Sequence, residues 1–266
     1  MNRDALVELL LQLADDDLVI GHRHSEWLGL APHFEEDIAF ASIAQDEVGH
    51  ATALYRLLEE FGVGKADDLA FVRPGAERRN AVLVERVNGS GTYLENPAFD
   101  WGYAVARSLA YDLFDAVRLE ALTRSAYEPL ALLAGKIRRE ERYHLLHHAT
   151  WFKRLAQGTA ESRRRLEAGI ARTWADVDGL FAPGSVADPD LLPVSPVQLV
   201  ERWESELQPQ FAAVGLAWPG TPVALAVPAA PTAALPDGRR GQHTTALTDL
   251  LATMCEVYRT APEAVW

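Results

Sequence analysis

The residues best suited to chemistry in this chain are two copies of Glu-x-x-His, Glu47-Val-Gly-His50 and Glu141-Arg-Tyr-His144. In a helix, residues i and i+3 share a face, so each copy brings a carboxylate and an imidazole to one point. That donor pair suits iron or manganese. Each copy also has an acidic residue about thirty positions upstream. Two such pairs, with one more carboxylate from each of two other helices, make the di-iron or di-manganese site of ferritin-like four-helix bundles. One copy alone reads as a surface ion pair or a helix-capping charge. The doubled, mirrored arrangement points to a metal site.

Helix geometry locates the remaining carboxylates. Antiparallel helices joined by a turn bring together residues at equal depth on either side of it. With a turn at Pro32, Glu47 faces the region of Asp15, Asp16 and Asp17. With a turn near Pro129, the partner of Glu141 falls at Asp112 or Asp115. Asp112 shares its face with Val105, Leu109, Ala116 and Leu119 and is expected to point inward. Asp115 lies with Ser108 and Arg118 and is expected to be solvated. All three members of the aspartate triplet have apolar neighbours on their own faces, so periodicity does not separate them. An unpaired ionised group in a core is costly, and a metal ion offsets that cost. Asp46 and Glu140 are read as facing elsewhere, and His22, His24, His147 and His148 as surface or interface residues. Trp27, Trp101, Trp151, Trp203, Tyr111 and Tyr143 are read as packing groups.

The elements that must position these groups are helical throughout, and no segment alternates like a strand. Helices are predicted over about 4–28, 35–61, 97–127, 129–157, 162–181, 195–208 and 243–260. Gly62-Val-Gly64 ends the second, and Pro196 opens the sixth at the first helical position. Pro209 is expected to stop or kink that helix. The connection over 65–96 resembles the crossover of a bundle and is given one short helix near 79–87. The proline-rich stretch over 218–238 reads as an extended loop packed over the surface. The expected fold is all-α, a ferritin-like four-helix bundle with additional C-terminal helices. It is read as a single domain over 1–266, with a bundle core at about 4–157 and a helical extension at about 160–266.

Composition narrows the function. The 266 residues are 48% hydrophobic and 24% charged, ordinary for a soluble globular chain. A net charge of -13 argues against nucleic-acid binding and against attachment to an anionic membrane. The short basic clusters Arg138-Arg139, Arg163-Arg164-Arg165 and Arg239-Arg240 read as solvated faces; the alternative is a phosphorylated ligand or an acidic partner. A single cysteine, Cys255, leaves no intrachain disulfide and no cysteine-based metal site. The apolar run over 5–14 is too short and too polar to span a membrane, so the cytoplasm is the expected location.

Three stretches carry a family resemblance: Leu13-Ala-Asp-Asp-Asp-Leu-Val-Ile20, His22-Arg-His-Ser-Glu-Trp27 and Ala31-Pro-His-Phe-Glu-Glu-Asp-Ile-Ala39. It continues through Arg142-Tyr-His-Leu145, Gly238-Arg-Arg-Gly-Gln-His243 and Pro262 to Trp266, so it covers nearly the whole chain. These residues resemble the C subunits of the phenylacetyl-coenzyme A epoxidase family, bacterial multicomponent monooxygenases of phenylacetate degradation. The resemblance implies a ferritin-like fold and a role supporting a catalytic A-type partner, the holder of the di-iron site. It also implies NADPH used only through a separate reductase, and a ring 1,2-epoxide of phenylacetyl-coenzyme A as product. A homodimer or heterodimer is expected from it, and an acyl-coenzyme A substrate is possible. Typical C subunits carry non-ligating residues at the positions matching Asp16, Glu47, His50 and Glu141, whereas here all four are ligand-capable. The position matching Asp15 stays acidic even where the site is lost, and the family pattern favours Asp16 over Asp17. The expected ligand set is therefore Asp16, Glu47, His50, Asp112, Glu141 and His144, holding a di-iron or di-manganese centre. Other readings of the same ligands are a self-sufficient oxygenase or oxidase, or a ferritin-like iron-handling protein.

Overall fold

In a computed structural model, residues 2–92, 95–184, 188–223, 236–261 and 264 are described. The chain is all-α, as a ferritin-like bundle requires, and it divides into two compact units. Each unit is built on one long helical hairpin. The prolines and glycines between helices set where each hairpin turns.

One unit takes residues 3–87 and the C-terminal segment from Pro236. Its hairpin is α1 (Arg3–Ser25) and α2 (Phe34–Glu60). The connection after α2 holds more structure than the sequence suggests: α3 (Ala66–Phe71), a 3-10 turn (Gly75–Glu77) and α4 (Val82–Glu85). Each is too short to show helical periodicity. Helix α1 is buried around most of its circumference, including Asp15, Asp16 and Asp17. The connection supplies counter-charge for the first of these. Arg73 pairs with Asp15, Arg78 lies 3.4 Å from it, Tyr55 donates to it at 2.5 Å and the Arg79 backbone N–H at 2.8 Å. Burial alone would raise the Asp15 carboxyl, but the two guanidinium groups and the hydrogen bonds outweigh it and hold it below its ordinary range.

The C-terminal segment closes over the same helix. Its 3-10 turn, Gly238–Arg240, brings Arg239 Nη1 to Asp16 at 2.8 Å. Arg239 also donates to the Arg79 carbonyl at 2.9 Å. A Cβ at Gly238 would sit 2.1 Å from the Asn80 carbonyl oxygen, so only glycine fits there. His243 Nδ1 lies 2.7 Å from Glu85, and Arg23 donates to the carbonyls of Glu85 and Ala246. The last helical stretch, expected over 243–260, is two helices, α9 (Thr245–Met254) and α10 (Glu256–Thr260), separated at buried Cys255.

The other unit takes residues 88–183 and the described part of 188–223. A two-residue antiparallel ribbon, β1 (Gly89–Ser90) with β2 (Ala98–Phe99), precedes its hairpin. The ribbon delays the third long helix, expected from 97, to α5 (Trp101–Leu122), whose first turn is capped by Asp100. Helix α6 (Glu128–Gln157) starts with Pro129 in its first turn. Helix α7 (Ala160–Trp174) is capped by Thr159 and gives way to a 3-10 turn (Val177–Phe181), in place of the single helix expected over 162–181. Helix α8 (Pro196–Ala213) opens with a Ser195–Gln198 capping box and runs through Pro209, which does not stop it. Most of the proline-rich stretch, residues 224–235, lies outside the described residues.

Two contacts fix this second unit. Glycines at the crossing of α5 and α7 let the backbones touch: a Cβ on Gly102 would lie 2.8 Å from the Arg165 carbonyl carbon, and one on Gly169 would lie 2.6 Å from that of Gly102. An aromatic cluster of Trp174, Trp203, Phe211, Trp218 and Phe181 joins α7, α8 and the segment after α8. Trp203 Nε1 donates to the Ala110 carbonyl of α5 at 2.9 Å, which satisfies the indole within the core. Among the described residues, no helix is long and apolar enough to cross a membrane.

Gly169→Val should destabilise the fold by roughly 3 kcal/mol, read as a lowered denaturant midpoint, because backbone cannot yield to the added atoms. Gly49 lies mid-α2 with nothing within 4 Å of an added Cβ. Gly49→Ala should therefore raise stability by about 0.5–1 kcal/mol in the same measurement.

Candidate metal centre

In the α1–α2 hairpin, Asp17, Glu47 and His50 offer ligand atoms that all lie within 4.8 Å of one another, and all three residues are buried. Glu47 and His50 share the inward face of α2, as their spacing predicts. Gly21, one turn beyond Asp17 on α1, makes the approach possible. A Cβ there would stand 3.0 Å from Glu47 Cβ and 3.2 Å from Val48 Cγ2. It positions the cluster, and the sequence signal for it is a glycine placed four residues after an acid in a helix.

Asp16, expected as a ligand, lies outside this cluster, and Asp17 takes the place beside Glu47 and His50. Its Oδ2 pairs with Arg239 and its Oδ1 accepts the Ala81 backbone N–H at 2.8 Å. Consecutive helical residues point about 100° apart. Asp15 therefore faces Arg73 and Arg78, Asp16 faces the C-terminal turn, and Asp17 faces α2. Three consecutive acids that look alike in sequence thus have three different environments.

In the α5–α6 hairpin, Asp112 is fully buried and points inward, as expected. Glu141 and His144 are also buried, with His144 Nδ1 3.1 Å from Glu141 Oε1. Asp112 Oδ2 lies 2.6 Å from His148 Nδ1, while its Oδ1 has no hydrogen-bond partner among the described residues. Burial first, and then the negative charge of Glu141, push the Asp112 carboxyl well above its ordinary range; His144 acts in the opposite direction. Two carboxyl groups close together in a dry site want a cation between them. The orphaned oxygen, the imidazoles and the carboxylates form a mixed oxygen and nitrogen donor set that fits iron or manganese.

Several other expectations change. His148 is buried against Asp112 and is not a surface residue. Its sequence signal is its place seven residues after Glu141, on the same helical face. His24 is also buried, with its ring edge-on to Phe40 at 5.3 Å. Burial, with Arg23 and Arg78 nearby, holds the half-buried His22 down to about 4, so it is neutral at physiological pH. Asp115, expected in solvent, is buried and held by Arg118 at 2.6 Å. Its spacing, i to i+3, hides an internal ion pair. Tyr143 is 66% exposed and is not a packing residue, whereas Tyr111 is in the core.

Comparison with known proteins adds to this geometry. The family model described as phenylacetic acid catabolic protein matches residues 1–266. The C subunit of the 1,2-phenylacetyl-CoA epoxidase of Escherichia coli (strain K12) is 30% identical over 265 residues, covering 98% of this chain and 99% of that relative. The A subunit of the same enzyme is 24% identical over 188 residues, covering 71% of this chain and 57% of that relative. The end-to-end match accords with the resemblance carried by the stretch around the aspartate triplet, by Arg142-Tyr-His-Leu145 and by Gly238–His243. The chain belongs to the phenylacetic acid catabolic protein family.

Proposed function

We propose that this chain is the C-type component of a multicomponent monooxygenase that converts phenylacetyl-coenzyme A to its ring 1,2-epoxide, working beside a catalytic A-type component. The observation that carries this reading is the match to an epoxidase C subunit over 99% of its length, against 57% of the A subunit. A separate reductase supplies electrons from NADPH, and a heterodimer with the A-type component is the working unit. Mixing the purified chain with its A-type partner should give a stable complex by analytical ultracentrifugation, with oxygen uptake dependent on phenylacetyl-coenzyme A. Turnover by the lone chain with reductase would instead support a self-sufficient oxygenase, the reading that the ligand set favours.

We further propose that the chain binds iron or manganese, with Asp17, Glu47 and His50 as the donors in the α1–α2 hairpin and Asp112, Glu141 and His144 as the donors in the α5–α6 hairpin. When bound, such a centre supplies dioxygen binding and activation. The chain's residues do the holding. His148 orients Asp112 through the hydrogen bond between its Nδ1 and Asp112 Oδ2, as partners behind a ligand commonly do. Gly21 admits Asp17 to Glu47, and Arg239 removes Asp16 from competition.

Metal analysis after anaerobic reconstitution should find iron or manganese in the wild type and much less in Glu47→Ala and Glu141→Ala; equal content in all three would sink the proposal. The aspartates should separate in a paired experiment. Asp17→Asn should lose metal while apo-protein stability changes by less than about 1 kcal/mol. Asp16→Asn should keep the donor set but cost about 3 kcal/mol, because it leaves the Arg239 guanidinium buried without its counter-charge.

A further inference from the structure

The α5–α6 hairpin carries a second feature on its outer side, built on the Arg138-Arg139 pair that the sequence alone reads as solvated. Gly135, Arg138, Arg139, Arg142 and Leu145 recur along one face of α6. With Ala116, Val117 and Glu120 of α5 and Glu206 of α8 they line an open-sided cavity of about 380 Å³. Small-ligand sites run from about 300 to 1,000 Å³.

The charge balance of this cavity runs against that of the chain. Three guanidinium groups meet two carboxylates, and one carboxylate is already neutralised. Arg202 donates to Glu120 at 2.7 Å and Arg138 lies 3.3 Å from it. The Arg202 hydrogen bond holds the Glu120 carboxyl below its ordinary range, so it stays ionised and paired. Arg139 and Arg142 make no ion pair among the described residues. A protein of net charge -13 thus keeps two arginines without a carboxylate partner in the lining of a ligand-sized cavity, Arg142 resting over the Tyr143 ring at 5.9 Å.

Gly135 lies in the same wall. Glycine inside a helix costs stability relative to alanine, and here a Cβ would meet nothing within 4 Å. Close packing therefore does not require it. Its effect is to leave the cavity wall bare, in the face that carries the arginines.

We infer that this cavity binds a small phosphorylated ligand, with the phosphate on Arg139 and Arg142 and the apolar part on Ala116, Val117 and Leu145. Arginine presents its N–H groups as a planar fork that matches phosphate oxygens, and unpaired forks give the strongest such bonds. None of these residues is a proposed metal ligand, so the inference is independent of whether the chain holds metal.

Calorimetric titration of the full apo-chain at low salt tests it, using adenosine diphosphate and inorganic pyrophosphate as probes and adenosine as the uncharged control. Both phosphates should bind saturably below about 1 mM, with adenosine silent. The double variant Arg139→Gln/Arg142→Gln should weaken binding at least about tenfold. Removing the opposing charge in Glu206→Gln should tighten it about threefold. Gly135→Leu should fill the cavity and weaken binding while raising the thermal midpoint by about 2 °C. That combination cannot come from misfolding. No saturable phosphate binding, binding unchanged in the arginine double variant, or binding of a poly-glutamate peptide with both phosphates silent would each overturn the inference.

Discussion

Carboxylates buried along the helical hairpins are the constraint on which the rest of this structure depends. A charge removed from water costs several kcal/mol unless it is paired, hydrogen-bonded or bound to a metal. Asp15, Asp16 and Asp17 stand in succession on a helix that is buried around most of its circumference. Because successive side chains turn by about 100°, no single partner can serve all three. Asp15 takes Arg73, Arg78 and Tyr55, Asp16 takes Arg239, and Asp17 lies with Glu47 and His50.

That requirement accounts for segments that otherwise look accessory. The short elements after α2 deliver Arg73, Arg78 and the Arg79 backbone N–H to Asp15. The C-terminal turn delivers Arg239, anchored by the close approach of Gly238 to Asn80 and by the His243–Glu85 contact. In the other unit Asp115 is met locally by Arg118 one turn away, and Asp112 by His148 across the α5–α6 hairpin. The long-range ion pairs also give Asp15 and Asp16 surroundings different from those of Asp17.

The proposed metal ions would sit among the remaining buried acids. Asp17 converges with Glu47 and His50, and Asp112 keeps one oxygen without a hydrogen-bond partner among the described residues. A chain retained only as scaffold would gain stability by replacing such groups with apolar ones of similar size. Their presence in a chain matched end to end by an epoxidase C subunit fits a scaffold that also handles metal. The aromatic cluster around Trp203 holds α7 and α8 against the face of α5 that carries Ala110, leaving the opposite face of the hairpin to its ligands.

Much of this protein was determined by the sequence alone. Apolar periodicity and the punctuation by proline and glycine set the long helices to within a few residues, because those signals are local. The i, i+3 spacing put Glu47 with His50 and Glu141 with His144, and the apolar neighbours of Asp112 turned it inward. Only the tertiary structure decided which of Asp16 and Asp17 lies beside Glu47 and His50. That choice depends on Arg239, more than two hundred residues away in the chain, and no local pattern carries it. His148 and Asp115 elude a sequence reading for a related reason. A polar side chain on a helix is legible as buried only when its partner is known, and partners are set by how helices pack. The short elements after α2 and the survival of α8 past Pro209 likewise rest on contacts, not propensity. Sequence chose the donors and the helices; packing chose which of those donors lie together.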